Sequence, residues 1–157
     1  MTREHHYELA LSWTGNDGEG TKTYRSYRRD HVVSAPGAPQ IPGSSDPAFR
    51  GDPSRWNPEQ LLVASLAQCH LLWYLHFAAS AGVVVVGYED APTGTMVEDA
   101  AGGGRFSEVT LRPRVTVAAG TDPALAASLH AKVGDVCFIA RSVNFPVRHD
   151  ATVAVTG

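Results

Sequence analysis

The chain has 157 residues, 43% of them apolar and 18% charged, with a formal net charge of −3. This length and composition match one globular domain, residues 1–157, with a core of its own, and they exclude a disordered chain. The slightly acidic balance argues against a nucleic-acid partner, which calls for a basic excess.

Two cysteines are too few for a disulfide framework. No basic segment followed by an apolar run opens the chain, so no secretory leader is expected. A cytoplasmic location, with thiols reduced at rest, is the expectation.

N-terminal strands are expected over 5–34. In His5–Thr14, Tyr7, Leu9, Leu11 and Trp13 alternate and would share one face. Gly15–Gly20 (GNDGEG) is a turn cluster. Thr21–Ser34, rich in Thr, Tyr and Val, reads as the returning strand of a hairpin. Most of its charged residues belong to a solvated face. Residues 35–56 carry five of the ten prolines and read as a long loop, of the kind that serves a function or covers something.

A central helix follows over 57–82. Asn57 can cap it, Pro58 suits its first position, and Gln60 completes a capping-box spacing. Gly82 is a natural stop. Leu62, Leu66, Cys69, Trp73 and Phe77 recur on one face, and Leu61, Leu72, Leu75 and Ala79 make much of the rest apolar, so a buried helix is expected. Residues 61–86 are long and apolar enough to resemble a membrane span. Gln68, His70, His76 and Gly82 interrupt them, and no membrane span is expected.

Strands are expected over 83–119, with a turn at 100–104 and an irregularity at Pro113. A second long helix, 122–137, starts at an Asp122 cap with Pro123 behind it, and is weakened by Gly134. The last strand is 146–156. The order ββ, α, ββ, α, β reads as α+β, with antiparallel sheets wrapped around two long central helices.

The chemistry points to cysteine. A thiol is a nucleophile only as thiolate, and a lone cysteine in an apolar helix is commonly inert packing. Cys137, 68 residues after Cys69 and at the end of the other helix, changes the reading. A reactive cysteine beside a resolving one is the layout of reversible thiol oxidation, provided the two Cα atoms come within about 7 Å.

Glu59 lies ten residues before Cys69, about 15 Å along a helix, so it cannot touch that sulfur in its own chain. It either serves the helix dipole or pairs with an arginine that reaches over a thiolate from a loop or a second subunit. His70 points about 100° away from Cys69, and a packed, hydrogen-bonded histidine is favoured over a catalytic base. Cys69, His70, His76 and Cys137 lack metal-ligand spacing, so no metal is expected.

NPEQLLVASLAQC (57–69) resembles the motif of the osmotically inducible protein C and organic hydroperoxide resistance (OsmC/Ohr) family. There an Asn-Pro-Glu-(Glu/Gln)-Leu opening leads into a helix with the peroxidatic cysteine. A second signature, a cysteine followed by a short run into a Pro-Val strand, is Cys137 to Pro146–Val147.

The resemblance covers nearly the whole chain and implies an intertwined homodimer with six-stranded sheets around central helices and active sites at the subunit interface. It implies thiol-dependent reduction of organic hydroperoxides: Cys69 attacks the peroxide, its sulfenate condenses with Cys137, and a small dithiol or lipoylated protein restores both thiols. No cofactor is implied.

The family's activating arginine has no counterpart at the matching turn. Arg29 is the first candidate and Arg25 the second; alternation puts these two on one strand face. His70, Trp73, Tyr74 and the loop SSDPAFRGDPSRW set the chain in a separate OsmC-like branch. The alternatives are a non-catalytic relative that binds a small apolar or thiol-reactive molecule or senses oxidants, and a purely structural pair of cysteines.

Overall fold

A computed structural model describes residues 1–157. The chain folds as two compact units, Met1–Leu61 and Leu62–Gly157.

The first unit holds a three-stranded antiparallel sheet in the order β1 (Ala10–Trp13), β2 (His31–Ser34), β3 (Ile41–Gly43). Leu11 pairs with Val33, and Val33 with Ile41. The returning strand is much shorter than the sequence suggests, because residues 14–30 commit their polar groups to turns. The Asn16 side chain accepts from the N–H groups of Gly18 and Gly20, each at 3.0 Å. Ser26 donates to the Gly20 carbonyl at 2.8 Å. Arg28 grips both oxygens of Asp17 at 3.1 Å and also donates to the buried Asp30. Side chains that bond the local backbone compete with a strand ladder, and here they win. Gly15 is required at its position, since a Cβ there would stand 1.8 Å from the Arg28 carbonyl oxygen.

The expected loop 35–56 contains β3 and a short 3₁₀ turn, Pro47–Phe49, capped by Asp46, whose carboxylate accepts from the Ala48 N–H at 2.7 Å.

Helix α1 (Pro58–Ser80) has both predicted ends. Gln60 N–H donates to Asn57 Oδ1 at 2.8 Å and Asn57 N–H to Gln60 Oε1 at 3.1 Å, a complete capping box. At the other end Gly82 takes φ +73°, and Val83 N–H reaches back to the Ala78 carbonyl at 2.9 Å. That is the glycine-terminated pattern for closing a helix.

The expectation that α1 is buried on most sides is not met. Of its 23 residues, Leu66, Cys69, His70, Tyr74 and Ala78 are buried, while Leu72 is 64% exposed. By length and composition α1 is apolar enough to cross a membrane.

In the second unit two three-stranded sheets share a common design. One runs β4 (Val85–Glu89), β7 (Arg114–Val117), β9 (Thr152–Val155); the other runs β5 (Thr93–Glu98), β6 (Gly104–Leu111), β8 (Val147–His149). Pro113 has no N–H and interrupts what would be one long strand, separating β6 from β7. Residues 147–155 follow the same bend, with Asp150 N–H bonded to the Leu111 carbonyl at 2.8 Å and Thr152 N–H to the Pro113 carbonyl at 3.0 Å. The last strand is therefore two strands.

The sheets are not wholly antiparallel either. β6 pairs with β8, and β7 with β9, in parallel. Such pairs need a long crossover, which residues 118–146 provide.

The second long helix is broken into α2 (Pro123–Ser128) and α3 (His130–Val133). Asp122 caps the first as expected, accepting from the Ala124 N–H at 2.9 Å. Beyond it Lys132 N–H bonds Leu129 O and Val136 N–H bonds Val133 O, the tighter i→i+3 pattern. With Gly134 in this stretch, one continuous helix is not maintained.

The core gathers Tyr74 and Ala78 of α1, Val115 and Val117 of β7, and Ala126, Leu129 and Val133 of the helical crossover. A smaller cluster joins Leu66, Val109 and Leu111.

Candidate active site

Helix α1 carries Cys69 in its middle, and the turn that follows α3 carries Cys137. The helix places Cys69 three residues beyond Leu66 and five before Tyr74, on its buried side. Cys137 is fixed by its own backbone, with its N–H bonded to Val133 O at 2.8 Å and its carbonyl accepting from Arg141 N–H at 3.0 Å.

Both residues are thiols and both are buried, Cys69 at 9% exposure and Cys137 at 2%. They belong to one hydrophobic cluster. Burial, and after it the neighbouring Cys69 thiol, push the Cys137 thiol up to about 11. The Ala140 N–H, 3.4 Å from the Cys137 sulfur, acts in the opposite direction. A thiol held this far above neutrality stays protonated at pH 7.

Beside the thiols lies a group of three imidazoles. His70 Nε2 is 2.9 Å from His130 Nδ1, with the two rings stacked at 5.2 Å. His149 of β8 tilts against both, at 5.7 and 6.0 Å. His130 stacks in turn on Tyr74 at 4.1 Å, and the Tyr74 hydroxyl donates to the Ala126 carbonyl at 2.9 Å. Burial, and then the neighbouring His149, hold His70 down at about 4. Burial, then His70 and His149, do the same to His130.

His70 is thus the packed, hydrogen-bonded residue that the sequence favours. His130 and His149 carry no signal in the sequence, since they lie 60 and 79 positions from His70 and on other elements. A cavity of about 30 Å³ lies against these groups, with His70, His149, Arg148 and Cys137 among its walls.

The other predicted residues lie in the first unit. Glu59 stands in the first turn of α1, and its Oε2 is buried without a hydrogen-bond partner. A buried carboxylate oxygen left unpaired is costly and calls for an explanation. The Arg55 Nε is buried and unbonded too, 3.8 Å from Asp30.

Arg29 is held between two tyrosines, its guanidinium carbon 4.3 Å from the Tyr24 ring centre and 4.0 Å from that of Tyr27. It donates to the Tyr27 and Tyr24 carbonyls at 2.6 and 2.7 Å. Three of its five N–H groups remain for other partners. Arg29 also borders an open depression of about 410 Å³ with Trp13, Tyr27, His31 and Pro58. Arg25 is exposed and its side chain makes no hydrogen bond; only its backbone N–H does, to Thr23 Oγ1 at 3.3 Å.

The profile of the family described as OsmC-like protein matches residues 51–152. Among solved structures, an OsmC-like protein of unknown function from Vibrio cholerae is similar at 27% identity and a TM-score of 0.85, over 95% of this chain and 100% of the other. An organic hydroperoxide resistance protein OsmC from Legionella pneumophila is 17% identical with a TM-score of 0.68, over 98% and 100%. The organic hydroperoxide resistance protein OhrB of Bacillus subtilis is 20% identical with a TM-score of 0.62, over 93% and 98%. No curated protein matches the sequence.

Proposed function

The chain belongs to the OsmC-like family, and on that premise we propose that it is a thiol-dependent peroxidase that reduces organic hydroperoxides to alcohols. One observation carries the reading: Cys69 and Cys137, 68 residues apart in sequence, are both free thiols buried in one hydrophobic cluster.

In the proposed cycle the Cys69 thiolate attacks the peroxide oxygen. An S–O bond forms, the O–O bond breaks, and the alkoxide leaves as an alcohol after taking a proton. Cys137 then attacks the sulfenic sulfur, forming the disulfide and releasing water. A small dithiol or a lipoylated protein reduces the disulfide by exchange. Glu59 and Arg29, with Arg25 second, are proposed to assist the Cys69 thiolate of a second subunit, since a guanidinium favours the anion and a carboxylate orients the guanidinium. The reducing cytosol is the compartment this chemistry suits.

We also propose that the working form is a homodimer. Leu72 on α1 is 64% exposed and Phe138 beside Cys137 is 68% exposed. Leu9 and Leu11 are each 71% exposed, the latter in a strand exposed along its whole length. Burying one such leucine contributes about 1.5–3 kcal/mol, and a second copy of the chain is the occupant that offers the same surfaces in return.

The test is a thiol count on reduced protein titrated with cumene hydroperoxide, followed by turnover with a dithiol. Loss of two thiols per chain, abolished in Cys69→Ser, with continued turnover is the expected result. Thiol loss without turnover would indicate a binding or sensing role, and thiols that do not react would end the proposal.

A further inference from the structure

Resting on the peroxidase reading, the geometry points to a proton route for the second step: we propose that His70 Nδ1 accepts the Cys137 proton as the disulfide closes, and that His130 is a positioning residue that sets the His70 tautomer.

The cavity of about 30 Å³ is the starting point. His70, His149 and Arg148 line it together with Cys137. It is large enough for one water molecule, and imidazole and thiol partners stand on its wall. Cys137 and two imidazoles, His70 and His149, therefore border one space.

The His70–His130 contact occupies His70 Nε2 and His130 Nδ1 and leaves His70 Nδ1 and His130 Nε2 outside it. Within a neutral pair joined at 2.9 Å, one nitrogen donates and the other accepts. With His70 Nε2–H donating to His130 Nδ1, His70 Nδ1 is bare and can accept. His70 Nδ1 makes no hydrogen bond within the chain, whereas Nε2 is occupied. The His130 ring is fixed by its stack on Tyr74 and is buried, with Nε2 unbonded. It therefore acts on the reaction only through His70.

The titratable and charged groups around His70 are His130, His149, Arg148, Cys137 and, one turn along α1, Tyr74. Burial keeps His70 and His130 neutral down to about pH 4. An acceptor in that state is ready throughout the physiological range.

The step balances. The Cys137 sulfur forms a bond to the Cys69 sulfenic sulfur while its proton passes to His70 Nδ1. The Cys69 S–O bond breaks, and the leaving hydroxide takes the proton back from the imidazolium as water. Two electrons pass from the Cys137 sulfur to the Cys69 sulfur, and no further oxidant is needed. The acceptor is weak relative to a resting thiol, yet the proton becomes far more acidic as the sulfur–sulfur bond forms, so transfer is downhill late in the step.

The experiment mixes reduced protein with one equivalent of cumene hydroperoxide, quenches at set times, and resolves sulfenate, trapped with dimedone, from disulfide. Positioned acid–base groups contribute roughly 10²–10⁴-fold. In His70→Gln and His70→Phe, closure is expected to slow by about 100-fold relative to sulfenate formation followed in the same samples. Wild-type closure is expected to be flat between pH 5 and 8; in both variants it should rise with pH, as only the thiolate route remains.

Nitrogen-15 NMR of the reduced wild type and of His130→Phe supplies a second reading. The Nε2–H tautomer is expected at His70, and a mixture in His130→Phe. Closure with unchanged rate and pH profile in folded His70 variants would overturn the proposal, as would an Nδ1–H tautomer at His70 in the wild type. Failure of the wild type to form any sulfenate would overturn the peroxidase reading itself, and this proposal with it.

Discussion

The histidine pair makes stability depend on pH in a way that can be worked out in advance. His70 and His130 are held at about 4 in the folded chain, against 6.5 for the free side chain. Between those values the unfolded chain binds protons that the folded chain refuses, so stability falls as pH is lowered through 6.5 towards 4. Above about pH 7.5 both states carry neutral imidazoles and the dependence vanishes.

From pH 7 to pH 5 the linkage relation gives about 2 kcal/mol per histidine, or about 4 kcal/mol for the pair, with a steepest slope of about 2.5 kcal/mol per pH unit. For a chain of this size that is a fall in Tm of about 8–15 °C.

The assay is urea unfolding followed by circular dichroism at half-unit steps from pH 4.5 to 8, on wild type and on His130→Phe, which retains a ring on Tyr74. The variant should lose about half of the slope. A slope below about 1 kcal/mol per pH unit in the wild type, or the same slope in both proteins, would refute the reasoning.

Three further outcomes are expected. Leu66→Ala empties part of the cluster with Val109 and Leu111 and should cost about 3–5 kcal/mol in urea unfolding, since Leu66 is fully buried. Gly82→Ala meets no neighbour but must hold φ +73°, which should cost about 1 kcal/mol, read as a Tm lower by about 2–4 °C. Leu72→Glu should turn a dimer into a folded monomer by light scattering with helix content intact; a wild type that is already monomeric at micromolar concentration would remove the dimer proposal.

What could be read from the sequence was what is encoded locally. Asn57 and Gln60 lie three residues apart and bond each other, and Gly82 closes the helix through backbone contacts within five residues. Pro113 announces its own break because it lacks an N–H. The directions of β8 and β9 were not readable, since alternation reports which face a residue takes and not which way its partner runs.

The crossover looked like one helix because Leu125, Leu129 and Val133 keep helical spacing even though the hydrogen bonds between them change type. In the site, Cys69 and Cys137 were identifiable from residue type and family pattern, and the fold then put them in one cluster. His130 and His149 were not, because only tertiary packing brings them to His70.

Residues 147–155 form the edge of one sheet with β8 and of the other with β9, with Asp150 and Ala151 between them. Neither sheet can shed this edge without pulling on the other, so the two should open as a single cooperative unit. In hydrogen exchange the amides of β6 and β7 would then share one opening free energy, although they sit in different sheets. A proteolytic nick near Ala151 would give each sheet an independent rate.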